Sequence, residues 1–206
     1  AMNPATRDRL LALNRQFYAT VADPFHCTRL GWPHGNAMLL DYVPSLRPLR
    51  VLDAGCGNGR FAAMLDSAGI RAHYTGVDAN PRLLELAREL TAELGHVSTS
   101  FVQADLALPA WREALGEQPR FDVIVCLAVL QHMPGRDLRA EIMGALAELL
   151  DAGGQLVVSA WQFLTSPRLA SRQIEWAAVN VDAACVDPGD ALLPWKQEVY
   201  AVRYVH

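Results

Sequence analysis

The stretch Val51-Leu52-Asp53-Ala54-Gly55-Cys56-Gly57-Asn58-Gly59 decides how the chain is read. Residues 49–54 form a short apolar strand that runs directly into glycines spaced G-x-G-x-G. Glycines placed there let the backbone turn sharply and let a ligand approach it closely. A dinucleotide-binding turn wants G-x-G-x-x-G, with a diphosphate against the next helix. Here the spacing differs, and the carboxylate of Asp53 stands two residues before the first glycine. A carboxylate at that point disfavours a diphosphate and suits a cation such as an ammonium or sulfonium. A nicotinamide dehydrogenase is the weaker rival for both reasons.

Downstream, strands and helices alternate. A helix is predicted over 60–67, stopped by Gly69, then a strand over 73–77 that ends at Asp78. An acidic side chain there can hold the two hydroxyls of a ribose. Asn80 caps the next helix, with Pro81 at its first position and Leu83, Ala87, Leu90 and Leu94 on one face. A strand over 100–103 ends at Asp105, and the apolar run 121–127 has the pattern of a strand buried on both faces. An amphipathic helix over 136–150 is ended by Gly153-Gly154, and a fifth strand follows over 155–161. This rhythm, with right-handed crossovers, predicts an α/β fold: a Rossmann-like doubly wound, mostly parallel sheet with helices on both faces.

Upstream, Leu10, Leu13, Phe17 and Val21 predict a helix over 7–21, broken by Asp23-Pro24, and a short helix is expected over 36–43. The tail predicts a helix near 169–179, a loop over 187–194 and a strand over 198–205. The chain thus divides into an N-terminal helical cap over the cofactor site (1–48), a core (49–165) and a tail (166–206). The tail leaves room for at most one short strand, so the sheet is expected to lack its last strands. Its open edge is then expected to be covered by the tail or paired with a second copy.

The 206 residues fit one domain. The longest apolar run, Val123 to Leu130, is far below the roughly 20 residues that span a bilayer, and no secretory leader is expected. A net charge of −4 argues against coating nucleic acid by charge alone. Cys27, Cys56, Cys126 and Cys185 form no C-x-x-C pair, and His26 has no second ligand at useful spacing, so no metal is expected. Reduced thiols fit the cytoplasm.

Taken in order, Asp53, the three glycines, Asp78, Asp105 and the apolar fourth strand make the segment from Val51 to Trp161 resemble the class I S-adenosylmethionine-dependent methyltransferases. The resemblance implies S-adenosyl-L-methionine as cofactor and S-adenosyl-L-homocysteine as product. It implies that Gly55, Cys56, Gly57 and Gly59 wrap the methionine part and that Asp53 steers its amino group. Asp78 with Ala79 would bind the ribose, Asp105 with Leu106 would face the adenine, and Cys126 and Leu127 would close the site from the fourth strand.

The flanks carry a narrower resemblance. Phe17-Tyr18-Ala19, Thr28-Arg29, Trp32-Pro33, Gln131-His132, Ser159-Ala160-Trp161 and Pro194-Trp195-Lys196 look like the tRNA methyltransferases that esterify wobble carboxymethyluridine, and their bacterial relatives. In that group the pair after strand four is His-His; here it is Gln131-His132. The resemblance implies an acceptor that is tRNA. The other acceptor in view is a small acidic or hydroxylated molecule, and the other class of function is a non-catalytic S-adenosylmethionine-binding module. His132 is the candidate base, because a neutral imidazole can take a proton near pH 7. Arg29 is expected to grip the cofactor carboxylate or an acidic acceptor, and Tyr18 to close over the cofactor. Trp32 and Trp161 would wall a site for an acidic, planar acceptor. Each also has a plainer reading, as a strand-end hydrogen bond, a solvated charge or a core ring.

Overall fold

A computed structural model of the chain describes residues 2–29, 40, 43, 47–117, 119–197 and 199–206. The helix predicted over 36–43 falls almost wholly outside them, as does Trp32. Five parallel strands, β1 (Leu49–Ala54), β2 (Ala72–Asp78), β3 (Val97–Gln103), β4 (Phe121–Leu127) and β5 (Leu150–Ser159), form one sheet in the order β3-β2-β1-β4-β5. The order reverses direction between β1 and β4, and a crevice for ligands lies outside the carboxyl ends of the strands at such a switch point.

Alternation along the central strands builds a core on each face. Leu52 and Ala54 of β1, with Ile124 and Cys126 of β4, pack with Leu138, Ile142 and Leu146 of the helix Arg136–Glu148. Val51, Val123 and Val125 point the other way, into a layer with Phe61 and Leu65 of the helix Arg60–Ser67 and Leu84 of the helix Pro81–Leu90. The latter helix is capped as its sequence predicts: the Asn80 side chain accepts from the Leu83 N–H at 3.0 Å. Buried Asp122 interrupts the apolar run of β4 and is held by Arg47 and Arg50, whose guanidiniums keep its carboxyl well below the usual range although burial acts the other way.

Four expectations are corrected. The N-terminal helix, Pro4–Cys27, runs through Pro24 instead of stopping before it. Its last turn is held by Thr28 N–H on the Pro24 carbonyl (3.2 Å), by Thr28 Oγ1 on the Phe25 carbonyl (3.0 Å) and by packing of Phe25 against Tyr18 and Trp195. Gly153-Gly154 do not end a helix; they lie inside β5 where the register against β4 shifts, and a Cβ on Gly154 would meet the carbonyl oxygens of Asp151 and Phe121 at 3.0 Å. The helix expected near 169–179 is two short pieces, Pro167–Ala170 and Trp176–Val179.

The fourth correction concerns the tail. It holds two strands, β6 (Ala191–Gln197) and β7 (Val199–Val205), not one. They pair with each other as an antiparallel hairpin and do not extend or pair with the main sheet. The hairpin packs instead on the N-terminal helix, where Leu10 meets Leu192 and Tyr204. The buried Asn14 side chain latches the two: its amide donates to the carbonyls of Tyr204 (3.2 Å) and His132 (3.0 Å), and its oxygen accepts from Tyr204 N–H (2.8 Å).

Candidate active site

A cavity of about 1020 Å³ opens at the carboxyl edge of the sheet. Its wall takes residues from just after every parallel strand: Gly55–Asn58 after β1, Asp78–Pro81 around the end of β2, Ala104–Leu106 after β3, Leu127–Val129 at the end of β4 and Ser159–Trp161 at the end of β5. The N-terminal helix and the hairpin close it with Arg15, Tyr18, Arg29, Trp195 and Arg203.

The three glycines of the loop all have positive φ, and their surroundings differ. A Cβ on Gly55 would lie 2.4 Å from Val129, and one on Gly59 would lie 3.0 Å from Ala87, so these positions are set by close packing. At Gly57 the nearest atom is Phe25 Cε1 at 3.8 Å, which leaves this backbone open to the cavity. Asp53 is buried, accepts a 2.6 Å bond from the Tyr74 hydroxyl and is pushed up to about 7, chiefly by burial. Asp78 accepts Gly57 N–H and Asn80 N–H, both at 2.9 Å, one on each carboxylate oxygen. Each oxygen keeps a second lone pair, enough for two hydroxyl donors. Burial raises its pKa as well. Asp105 is tied to Ala107 N–H and to Arg15 of the N-terminal helix (2.7 Å).

Past Pro24 the N-terminal helix delivers Phe25, His26 and Arg29 onto the glycine loop. Asn58 Nδ2 lies 3.1 Å from His26 Nδ1 and donates to the Arg29 carbonyl at 3.4 Å. The Arg29 guanidinium lies over the Phe25 ring at 3.9 Å.

After β4, the chain turns through Ala128, whose φ of 56° is rare for a residue with a side chain. That turn places His132 on the cavity wall. Its Nδ1 lies 3.1 Å from the Tyr204 carbonyl, which can only accept, so Nδ1 carries the proton. Nε2 then accepts from the Tyr18 hydroxyl at 3.0 Å. Burial, aided by the charge of Arg203, pushes His132 down to about 3, and burial keeps Tyr18 a neutral phenol. Trp161 stacks edge-on against the His132 ring, 6.0 Å between centroids.

The cavity thus gathers Tyr18, Arg29, Asp53, Gly55, Cys56, Gly57, Asp78, Ala79, Asp105, Leu106, Leu127, His132 and Trp161. It leaves out Gly59, whose place is against Ala87, and Cys126, which points into the core layer beneath the helix Arg136–Glu148. Strand alternation explains Cys126: Leu127, the next residue, faces the cavity instead. Sequence reasoning missed Arg15, Asn58, Trp195 and Arg203. For Arg203 a signal existed, a lone charge amid the apolar residues 201–205.

The loop, the aspartates at successive strand ends and the open backbone at Gly57 fit a nucleoside carrying a cationic sulfur, and the comparisons agree. The family model described as a methyltransferase domain matches residues 51–154, half of the chain. The chain belongs to that family of methyltransferase domains, and the nucleoside with a cationic sulfur that its site fits is S-adenosyl-L-methionine. It is 36% identical over 170 residues, 76% of this chain and 63% of the relative, to the ubiquinone biosynthesis O-methyltransferase of Xylella fastidiosa strain M23. The chain therefore spans less than two thirds of that relative's length. Among solved structures it is similar to a TehB-like SAM-dependent methyltransferase from Corynebacterium glutamicum, with 25% identity, 78% of each chain covered and a TM-score of 0.52. It also shares its fold with the DhpI complex with SAM and HEP, at TM-score 0.61 and 15% identity over 95% of this chain and 80% of that one.

Proposed function

We propose that the chain methylates a hydroxyl oxygen of a small planar molecule, with His132 and Tyr18 at the acceptor oxygen. The observation that carries this is the Tyr18–His132 hydrogen bond on the cavity wall, with the imidazole proton fixed on Nδ1 by the Tyr204 carbonyl. A hydroxyl is a poor nucleophile until its proton has somewhere to go. A hydroxyl that displaces the Tyr18 contact donates to the Nε2 lone pair of His132. Held down to about 3, this imidazole is not the base near pH 7 that the sequence predicts, and it takes the proton late, as the oxygen receiving the methyl becomes strongly acidic.

In this reading Asp78 holds the ribose and Asp53 the ammonium, while Asp105 with Leu106 lies along the adenine. Arg29, beside the glycine loop, takes the cofactor carboxylate. When bound, the cofactor supplies a methyl group already electrophilic on a sulfonium. The chain's part is to align the acceptor, exclude water and move one proton. The names of the relatives support an oxygen acceptor. Esterification of wobble carboxymethyluridine is the second reading, carried by the flanking motifs. It draws less support, because a carboxylate needs no base and the net charge is −4. A cytoplasmic setting goes with either reading; among the described residues no helix is long and apolar enough to cross a membrane.

The test is transfer of labelled methyl to 3,4-dihydroxybenzoate, to its methyl ester and to bulk tRNA. Label in a hydroxyl of the small molecules, with turnover cut about 100-fold in His132→Gln, supports the proposal. Label in tRNA alone overturns it.

A further inference from the structure

The C-terminal hairpin brings a buried cation, Arg203, to the acceptor side of the cavity, where it interacts with the Tyr18 hydroxyl and has no carboxylate partner among the described residues. Arg203 of β7 is 6% exposed, and its guanidinium lies over the Trp161 ring at 4.4 Å, with Phe17 at 5.3 Å and Trp195 at 5.9 Å. Among the described residues its Nε has no hydrogen-bond partner, and neither has the buried indole Nε1 of Trp195. Buried donors are nearly always satisfied, and buried charges nearly always paired. Five other arginines among the described residues are ion-paired: Arg15 with Asp105, Arg47 and Arg50 with Asp122, Arg82 with Asp23, Arg112 with Glu148. Among the described residues, no carboxylate stands within ion-pair reach of Arg203.

The carboxylates of the cavity wall also stand away from Arg203. Asp53 and Asp78 lie at the ends of β1 and β2 and Asp105 just after β3, with Arg15 ion-paired to Asp105 and Arg29 against the glycine loop. Arg203, in contrast, stands beside Trp161 and faces His132, which follow β5 and β4. We infer that Arg203, with the indole N–H of Trp195, receives a carboxylate carried by the methyl acceptor. This rests on the proposed placement of the acceptor beside His132 and Tyr18. It also moves the anion grip from Arg29, which lies against the glycine loop, to a residue of the tail. A guanidinium over an indole ring still offers two parallel N–H donors, the geometry a planar carboxylate matches. The acceptor class is then an aromatic hydroxy acid.

The test reads affinity, so it is separate from turnover and from the role of His132. S-adenosyl-L-homocysteine is titrated into the full chain by calorimetry, and the loaded protein is then titrated with 3,4-dihydroxybenzoate or its methyl ester. The acid should bind roughly tenfold or more tighter than the ester. Arg203→Gln should erase that preference and leave the homocysteine affinity within about threefold; Arg203→Lys, which keeps the charge without the fork, should keep part of the preference. Trp195→Phe removes the second donor and should lower the preference on its own. Equal binding of acid and ester by the wild type overturns the inference. So does a loss of homocysteine affinity of about tenfold or more in Arg203→Gln with the fold intact, because Arg203 would then be holding the cofactor carboxylate. If Arg203→Gln fails to fold, the Lys and Phe variants decide by the same ratio.

Discussion

Gly55, Gly57 and Gly59 look equivalent in sequence, and their surroundings separate them. Gly55 and Gly59 are hemmed by Val129 and Ala87, so a side chain at either strains the protein itself. Gly57 borders open space, so Gly57→Val should obstruct the ligand more than the fold, apart from the strain of its positive φ. We expect Gly57→Val to weaken S-adenosyl-L-homocysteine binding by roughly 100-fold at a cost of about 1–2 kcal/mol in stability. Gly55→Val should lose more stability than that by chemical denaturation, as overpacking adds to backbone strain. No sequence pattern could make this distinction, because it depends on residues 28 and 74 positions further along the chain. Cys126 was misread for a related reason. Its neighbourhood in sequence is that of Leu127, and only the pleat decides which of the two faces the ligand.

Among the elements, the parallel core was legible and the flanks were not. Glycine turns, apolar runs and the Asn80-Pro81 cap are local signals, and the core strands and helices fell near their predicted places. Pro24 was read as a break because a proline lacks the N–H that the helix would use. The sequence alone does not show Phe25 packing on Tyr18 and Trp195, which carries the helix on to Cys27. The hairpin was hidden by Pro194. A two-stranded ribbon tolerates proline because alternate N–H groups point away from the partner strand. Asn14 joins these two flanking elements, and its loss leaves Tyr204 N–H and the His132 carbonyl unpaired. Asn14→Ala should cost about 2–3 kcal/mol in thermal or chemical unfolding. It should also lower turnover by freeing His132, whereas Asn14→Asp should retain the bond to Tyr204 N–H.

For the molecule as a whole, the buried titratable groups of the cavity wall make stability depend on pH in a predictable direction. His132, at about 3 when folded, is depressed below its ordinary value of about 6.5. The unfolded chain therefore binds the extra proton first, and this group's stabilisation is lost as pH falls below about 6.5 toward 3. Asp53, raised to about 7, acts oppositely: its contribution is fullest at low pH and declines as pH rises from about 4 to 7. Exchanging His132 for Gln removes only the first effect. The difference in Tm between His132→Gln and wild type should thus be more favourable to the variant at pH 5 than at pH 8. A difference that does not change with pH would place His132 in contact with water rather than in the buried bond to Tyr18.

The central claim is that the cavity between the glycine loop and Asp78 is where S-adenosyl-L-methionine binds. Calorimetric titration of S-adenosyl-L-homocysteine into wild-type and Asp78→Ala protein tests it most directly. Loss of the carboxylate removes two charge-assisted hydrogen bonds to the ribose, each on the order of 1.5–3 kcal/mol, so the variant should bind at least about tenfold more weakly with its fold intact. Equal affinity in the two proteins would contradict the account.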